Sequence, residues 1–372
     1  MKALGSRELV SDVITKDLCV GCGGCVNLCP YFRSFRGVTS QLFPCTLEEG
    51  RCFAYCPKIE VDLDEISRAL YGEPYHGDPL GSYLSIHVTR AGTSMPRGSF
   101  QSGGTVSALV SFALKDSLID AAILTDREHL LPVPRTITDA ADVVRCASSK
   151  YAAAPTVGEV NAALKDGHGA LGVVATPCQT LALAQMRTAA SAAGEGVAGR
   201  LKLLIGLFCT WALDYRALES LLSKRVDIGL IEKIDIPPPP AELVLVYSAA
   251  GTTEVPLSEV RECIPSTCGY CIDMTAEFAD ISVGVLEGDT GRNTLIVRTT
   301  AGRELVEKAA KSGYLEIEAY PKEAFEHLSW AASNKKRKAL LKLKDRDLIN
   351  TGEGAQRASI RMRPEVVERI VA

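Results

Sequence analysis

The sequence predicts an α/β fold, a mixed, largely parallel sheet with flanking helices, preceded by a small cysteine-rich α+β module. Three observations lead there. Short apolar runs alternate with amphipathic helical stretches from Ser82 onward, the pattern of strand–helix–strand units. Four cysteines fall within the twelve residues CVGCGGCVNLCP at 19–30. The chain holds 13 cysteines in 372 residues, an odd count at tight spacings, which points to metal ligation in a reducing compartment rather than to disulfides.

The bulk composition is that of a soluble globular chain, 47% hydrophobic with a net charge of −4, and the acidic balance argues against nucleic acid as a partner. The opening stretch MKALGSRELVSDVITKD sets Arg7, Glu8 and Asp12 among its apolar residues, so it lacks the unbroken core of a signal peptide. The apolar run LLIGLFCTWAL at 203–213 is too short to cross a bilayer. The expectation is a cytoplasmic protein with no direct membrane insertion.

The first unit, 1–77, is built on its cysteines. Cys19-x2-Cys22-x2-Cys25-x3-Cys29-Pro30 resembles the bacterial ferredoxin run. Two-residue spacers let three thiolates reach three corners of one cubane. Gly21, Gly23 and Gly24 let the backbone fold tightly and aim N–H groups at the sulfides. The fourth cysteine points away toward a neighbouring cluster. A zinc knuckle would ask for two separated CxxC pairs instead. A second half comes after it as Cys45, Cys52 and Cys56-Pro57, with the C-x3-C-P ending intact but no leading CxxCxxC. By ferredoxin crossover, one 4Fe–4S cluster takes Cys19, Cys22, Cys25 and Cys56. The other has Cys29, Cys45 and Cys52 and is one ligand short, so it is a 3Fe–4S centre, borrows a distant ligand, or is absent. Next, VDLDEISRALYGEP at 61–74 reads as an amphipathic helix packing this unit onto its neighbour.

The second unit, 78–332, starts with the strand SYLSIHVTRA. Then come Gly103-Gly104, an apolar-periodic helix and a short buried strand at AAILT. ASSKYAAAPTVGEVNAALKDG reads as a loop and helix, and ALGVVAT as a fully buried strand. Pro177 opens a helix at its favoured first position, and LKLLIGLFC is another buried strand. The proline run at 237–240 reads as a rigid surface connection inside an extended region. ADISVGVLEGDTGRNTLIVRT reads as two strands around a Gly-rich turn, ELVEKAAKSG as a helix stopped by glycine, and YLEIEAY as a strand. The third unit, 333–372, is a basic helical tail; its run NKKRKALLKLKDRDL is either a solvated face or a dock for an acidic partner.

Three features of the second unit carry chemistry. Gly103-Gly104 ahead of a helix suits a phosphate on the exposed N–H groups, or is a plain turn. Cys178 and Cys209 come directly after two buried strands; if those are parallel, both thiols lie at the carboxyl edge of the sheet, where open α/β folds bind ligands. Alternatively both are ordinary buried cysteines. Cys268-Gly-Tyr-Cys271 adds a CxxC, and with Cys178 and Cys209 completes four thiolates for another cubane.

The segments SGGTVSALVSFALKDSLIDAAIL, ASSKYAAAP, VVATPCQTLAL, GLFC and CGYCIDMTAEFADISVGVLEG…NTLIVRT, in this order, resemble the beta subunits of coenzyme F420-reducing hydrogenases and formate dehydrogenases over roughly residues 82–320. The resemblance implies FAD, with Ser102, Gly103, Gly104, Thr105, Ser149, Lys150, Tyr151, Thr176, Pro177 and Gln179 as candidate contacts. It also implies a 4Fe–4S cluster on Cys178, Cys209, Cys268 and Cys271. Cys146 and Cys263 are then left over, each a core thiol or the missing ligand of the second N-terminal cluster.

A flavin handles hydrides and single electrons, whereas cubanes pass electrons one at a time, so the expected activity is that of an oxidoreductase subunit. It would exchange a hydride with coenzyme F420 or a related carrier and pass electrons to a catalytic subunit of a hydrogenase, formate dehydrogenase or heterodisulfide reductase-like complex. The alternatives are an adaptor relaying electrons from ferredoxin without a substrate of its own, and a reductase of an organic substrate. Lys150 stabilises the reduced flavin, binds its pyrophosphate or simply faces solvent.

Overall fold

The computed structural model describes residues 4–96, 100–189, 196–237, 240–352, 357 and 359–372. Its centre is a mixed sheet of eight strands: β1 (Ser85–Ala91), β2 (Ala121–Glu128), β3 (Leu131–Ile137), β4 (Leu171–Ala175), β5 (Leu201–Leu207), β6 (Ile281–Leu286), β7 (Asp289–Val297) and β8 (Leu315–Ala319). The spatial order is β8-β1-β7-β6-β5-β4-β2-β3. The middle four, β6, β5, β4 and β2, pair in parallel, and antiparallel strands extend the sheet on both sides.

Those middle strands are apolar on successive residues because both of their faces are covered. Side chains alternate across a strand, so Ala122 and Leu124 of β2 join one core while Ala121 and Ile123 join the other. The first core receives helices α1 (Thr105–Lys115) and, later in the chain, Thr300–Lys311. The second receives α2 (Thr156–Lys165) and α3 (Pro177–Thr188). Pro177 is the first residue of α3, where its missing N–H costs nothing.

One strand has no counterpart in the sequence reading. β3 contains Pro132 and Pro134, which argue against a ladder, yet it forms the edge of the sheet and pairs only with β2. The extended region becomes a separate antiparallel sheet of Ile231–Asp235, Leu243–Ser248 and Gly251–Pro256. Of the proline run in this region, residues 238–239 lie outside the described residues.

The N-terminal module holds a hairpin, Phe32–Phe35 with Val38–Gln41, and short helices at Ser6–Leu9 and Arg51–Ala54. The amphipathic helix is Leu63–Tyr71; the Asp62 carboxylate accepts from Glu65 N at its start, and Gly72, at φ 77°, ends it. The last forty residues are not a free tail. The boundary at 332/333 falls inside one continuous helix, Lys322–Asp345, and the chain beyond that helix packs on the N-terminal module. Ile360–Arg361 pairs in parallel with Val61–Asp62, and Leu340, Leu343, Met362 and Val366 share one core with Leu9, Phe32, Leu63 and Ile66. Among the described residues, no helix is long and apolar enough to cross a membrane.

Candidate functional site

The first thiol neighbourhood lies inside the N-terminal module. Cys19, Cys22 and Cys25, together with Cys56, line a single cavity with Gly23 and Gly24. Gly21 and Gly23 adopt φ +65° and +83°, which coils the backbone tightly, and Gly24 N–H points at Cys22 Sγ, 3.4 Å away. Burial pushes the thiols of Cys22 and Cys25 up and that of Cys56 up to about 12; backbone N–H groups of Lys58 and Ile59 partly oppose this at Cys56. Such thiols ionise only where positive charge enters the cavity, which is the donor chemistry an iron–sulfur group asks for.

The second neighbourhood gathers Cys29, Cys45 and Cys52. Burial, with the charges of Cys29 and Cys45, pushes the Cys52 thiol up to about 11. Cys25 and Cys52 also act on each other, so these two neighbourhoods adjoin. Cys146 and Cys263 lie elsewhere. Cys146 ends a 3₁₀ turn, Ala140–Cys146, beside Lys150 and Asp126. Cys263 is buried in the core of the small antiparallel sheet. Of the two readings for these thiols, the structure supports the core or loop position for both, and the second neighbourhood keeps three cysteines.

The third neighbourhood joins Cys178, Cys209, Cys268 and Cys271, whose thiols act on one another. β4 and β5 are parallel neighbours with Ala175 opposite Gly206, so Cys178 and Cys209 emerge together at the carboxyl edge of the sheet. The 3₁₀ turn Ser266–Tyr270 brings in the CxxC; Ala212 N–H lies 3.5 Å from Cys268 Sγ, and Cys209 N donates to Met274 O. Burial pushes Cys178 up to about 11 and Cys209 up as well. The charge of Cys178 also raises the thiol of Cys22, so the first set adjoins the third as well as the second.

Among the described residues, no three His, Cys, Asp or Glu side chains converge tightly enough to hold a single metal ion. A mononuclear site requires all its sulfurs about 2.3 Å from one point. A cubane brings its own irons, each taking one thiolate, and asks the protein to surround a volume instead.

Two lysines missed by the sequence reading belong to the third set. Lys58 Nζ donates to Tyr270 O at 3.2 Å, and its charge favours ionisation of Cys178 and Cys268 as well as Cys56. Lys335 Nζ donates to Cys209 O (2.6 Å) and Asp273 O (2.7 Å). Burial opposes a charge on Lys335, but the thiols of Cys271 and Cys209 and the Asp273 carboxylate outweigh it and hold its ammonium above the ordinary lysine value. A cysteine-proline corner was the only hint for Lys58; Lys335 was hidden in a basic run.

The flavin candidates form a second cluster at the same carboxyl edge. Gln101, beside Ser102, accepts from Ser149 N, contacts the Tyr151 hydroxyl at 3.5 Å and bonds Asp235. Gln179 Nε2 donates to Ala154 O and Thr156 Oγ1, and Thr176 Oγ1 lies 3.5 Å from Cys178 Sγ. The three segments therefore meet, next to the third thiol set, and Ser148 and Tyr151 hold strained backbone at φ 71° and 56°. Several of the candidates, however, have work inside the fold. Lys150 Nζ donates to the carbonyls of Cys146, Ala147 and Ser148 at 2.7–2.8 Å, which engages all three of its donors. Burial also lowers its pKa to about 8. Gln179 closes a capping box with Thr176 N. A β-carbon on Gly103 would lie 2.9 Å from Asn293 Oδ1, and Gly104 turns at φ +78° against the Phe100 ring. Thr105 is fully buried, its hydroxyl 2.9 Å from that of Thr89.

Family profiles match this chain twice in succession. Residues 87–160 match the profile for the coenzyme F420 hydrogenase/dehydrogenase beta subunit N-term, and residues 169–323 that for its C terminus. The chain is 30% identical over 310 residues to the coenzyme F420-dependent sulfite reductase of Methanocaldococcus jannaschii, covering 80% of this chain and 46% of that protein, so it spans about half that relative's length. It is 29% identical over 242 residues to the coenzyme F420 hydrogenase subunit beta of Methanothermobacter thermautotrophicus (64% of this chain, 85% of that one). To the protein of the same name from Methanococcus voltae it is 27% identical over 244 residues (64% and 85%). In fold it is similar to a chain of the F420-reducing NiFe hydrogenase complex from Methanosarcina barkeri, with a TM-score of 0.66 at 24% identity, covering 77% of this chain and 98% of that one.

Proposed function

Since the chain belongs to the family of coenzyme F420 hydrogenase/dehydrogenase beta subunits, we propose that it is the electron-transfer component of a multi-subunit oxidoreductase, exchanging a hydride with coenzyme F420 or a related carrier. The observation that carries this reading is the emergence of Cys178 and Cys209 from neighbouring parallel strands at one sheet edge, where the turn bearing Cys268 meets them. On this reading electrons pass between the N-terminal thiol sets and the segments 101–105, 148–151 and 176–179 by way of the third set. When bound, FAD supplies hydride and one-electron chemistry, and iron–sulfur groups carry single electrons.

The chain's own residues would divide the work by position along that route. Cys178, Cys209, Cys268 and Cys271 hold the inner 4Fe–4S group beside the flavin segments. Cys19, Cys22, Cys25 and Cys56 hold the next, and Cys29, Cys45 and Cys52 an outer centre with three thiolates. Ser102, Ser149 and Thr176, with the backbone of the strained 148–151 loop, bind the flavin, while Lys150 and Gln179 keep that loop in shape. The outer set lies in the stretch that exposes Phe35 and Leu47, at 75% and 70%, which suits contact with a catalytic partner.

The test is anaerobic purification followed by iron, acid-labile sulfide and flavin analysis, then mixing with F420H2. The reading expects about eleven irons (two four-iron groups and one three-iron group), one flavin, and bleaching of the flavin by F420H2. A colourless, iron-free protein would refute it. Bleaching by reduced ferredoxin but not by F420H2 would replace it with the adaptor.

A further inference from the structure

Lys58 is a buried cation, which a globular protein rarely tolerates, and Lys335 is a half-buried one. Lys58 is 7% exposed, and Lys335 reaches from the long C-terminal helix under the third thiol set. Both ammonium groups donate to backbone carbonyls: Lys58 to Tyr270, Lys335 to Cys209 and Asp273. Among the described residues, neither lies within 4.0 Å of a carboxylate oxygen, in contrast to the adjacent Lys336, which has Glu277.

A buried charge without a counter-ion costs several kcal/mol even after relaxation. Carbonyl dipoles recover part of that, and the Asp273 carboxylate acts on Lys335 at longer range. Among the groups whose charges couple to the two lysines are thiols. Lys58 faces Cys56 on its own corner and Cys178 and Cys268 across the gap; Lys335 faces Cys209, Cys271 and Cys268. Neutral thiols offer such a cation little. Thiolates bound to iron, with a net negative group between them, would complete the balance.

We propose that Lys58 and Lys335 are the fixed countercharges of the thiol-held iron–sulfur groups, with Lys58 shared by the first and third sets and Lys335 serving the third alone. This rests on the reading that both sets hold clusters. A fixed cation favours the more negative, reduced state of a neighbouring centre and so raises its reduction potential. A shared cation raises two neighbours together, which keeps their levels close for an electron passing between them. The bond from Lys58 to Tyr270 O also ties the first set to the turn bearing Cys268, so one residue sets both potential and spacing. Both are positioning residues.

The test uses the full chain, purified anaerobically, in EPR-monitored redox titrations, with signals assigned through Cys56→Ser and Cys271→Ser. Lys58→Gln is expected to shift the first and third signals to more negative potential. Lys335→Gln should shift the third alone, and Lys58→Arg should return both toward the unaltered values. If Lys58→Gln fails to retain iron while Lys58→Arg retains it, the charge is needed for assembly, which also supports the proposal. Unmoved potentials in Lys58→Gln, or Lys58→Arg behaving as Lys58→Gln, would overturn it. Iron absent from the unaltered protein would instead refute the functional reading beneath it.

Discussion

Lys336 Nζ lies 2.8 Å from Glu277 Oε1, with the two side chains 1% and 2% exposed. The pair is fastened at both ends: Lys336 Nζ also donates to Tyr75 OH and Asp78 O, and Tyr75 OH donates to Glu277 Oε2. It thereby locks the long C-terminal helix to the N-terminal module and to the loop leading into β6. Lys336→Met would leave Glu277 buried without its partner and is expected to cost about 3–5 kcal/mol. Adding Glu277→Gln to that variant should recover much of the loss. Denaturant unfolding of the single and double variants above pH 7, where Glu277 is ionised in the fold, reads this directly; a single variant as stable as the parent would show the charges are not paired in solution.

Stability should also depend on pH through Glu277. Burial comes first and pushes its carboxyl up to about 7, while Lys336 pulls the other way; in the unfolded chain it titrates near 4.5. Between those values the folded state keeps a proton that the unfolded state has lost, so this group makes stability fall as pH rises, by roughly 1 kcal/mol per unit. The contribution levels off above about 7. Unfolding free energies compared between the parent and Glu277→Gln from pH 5 to 7 should diverge in that sense, and parallel curves would contradict it.

Asn161 fastens the first thiol neighbourhood to helix α2. Its amide is buried and donates to Gly24 O and Val26 O at 3.1 and 2.8 Å. Asn161→Ala strands two carbonyls of the cysteine loop, at a cost of about 1–3 kcal/mol. The loop at 19–29 should gain hydrogen exchange before the rest of the module does. Uniform exchange rates across the chain would argue that the loop is held by other contacts.

The cysteines should separate into classes by iron content. Cys45→Ser is expected to remove only the outer centre and Cys56→Ser only the middle one. Cys146→Ala and Cys263→Ala should leave the iron count of the parent unchanged. Loss of iron in Cys263→Ala at unchanged stability would assign that thiol a ligand role at odds with its position in the core of the small sheet.

Much of this was readable in the chain itself. Strands such as LGVVA and LKLLIGL announced themselves because a parallel strand buried on both faces must be apolar throughout. The CxxC spacings fixed which thiols are neighbours along the backbone, and the two strand-end cysteines met because their strands are parallel. Local pattern misled at β3, where prolines argue against a strand but an edge tolerates them, and at the 332/333 boundary, where a helix simply continues. The resemblance to the family offered Lys150 as a flavin contact, and the fold closes its three donors on carbonyls.

By itself the sequence determined the order of strands and helices and the local thiol groupings, since both come from periodicity and spacing within a few residues. Only the tertiary structure decided that the three groupings adjoin one another, that Cys146 and Cys263 stand apart from them, and that Lys58, Lys335 and Lys336 point inward. A basic run looks the same on paper whether it meets water or a buried partner. What settles its fate is the free energy of burying its charges, and that depends on groups such as Glu277 and Tyr270, brought close by packing from distant parts of the chain.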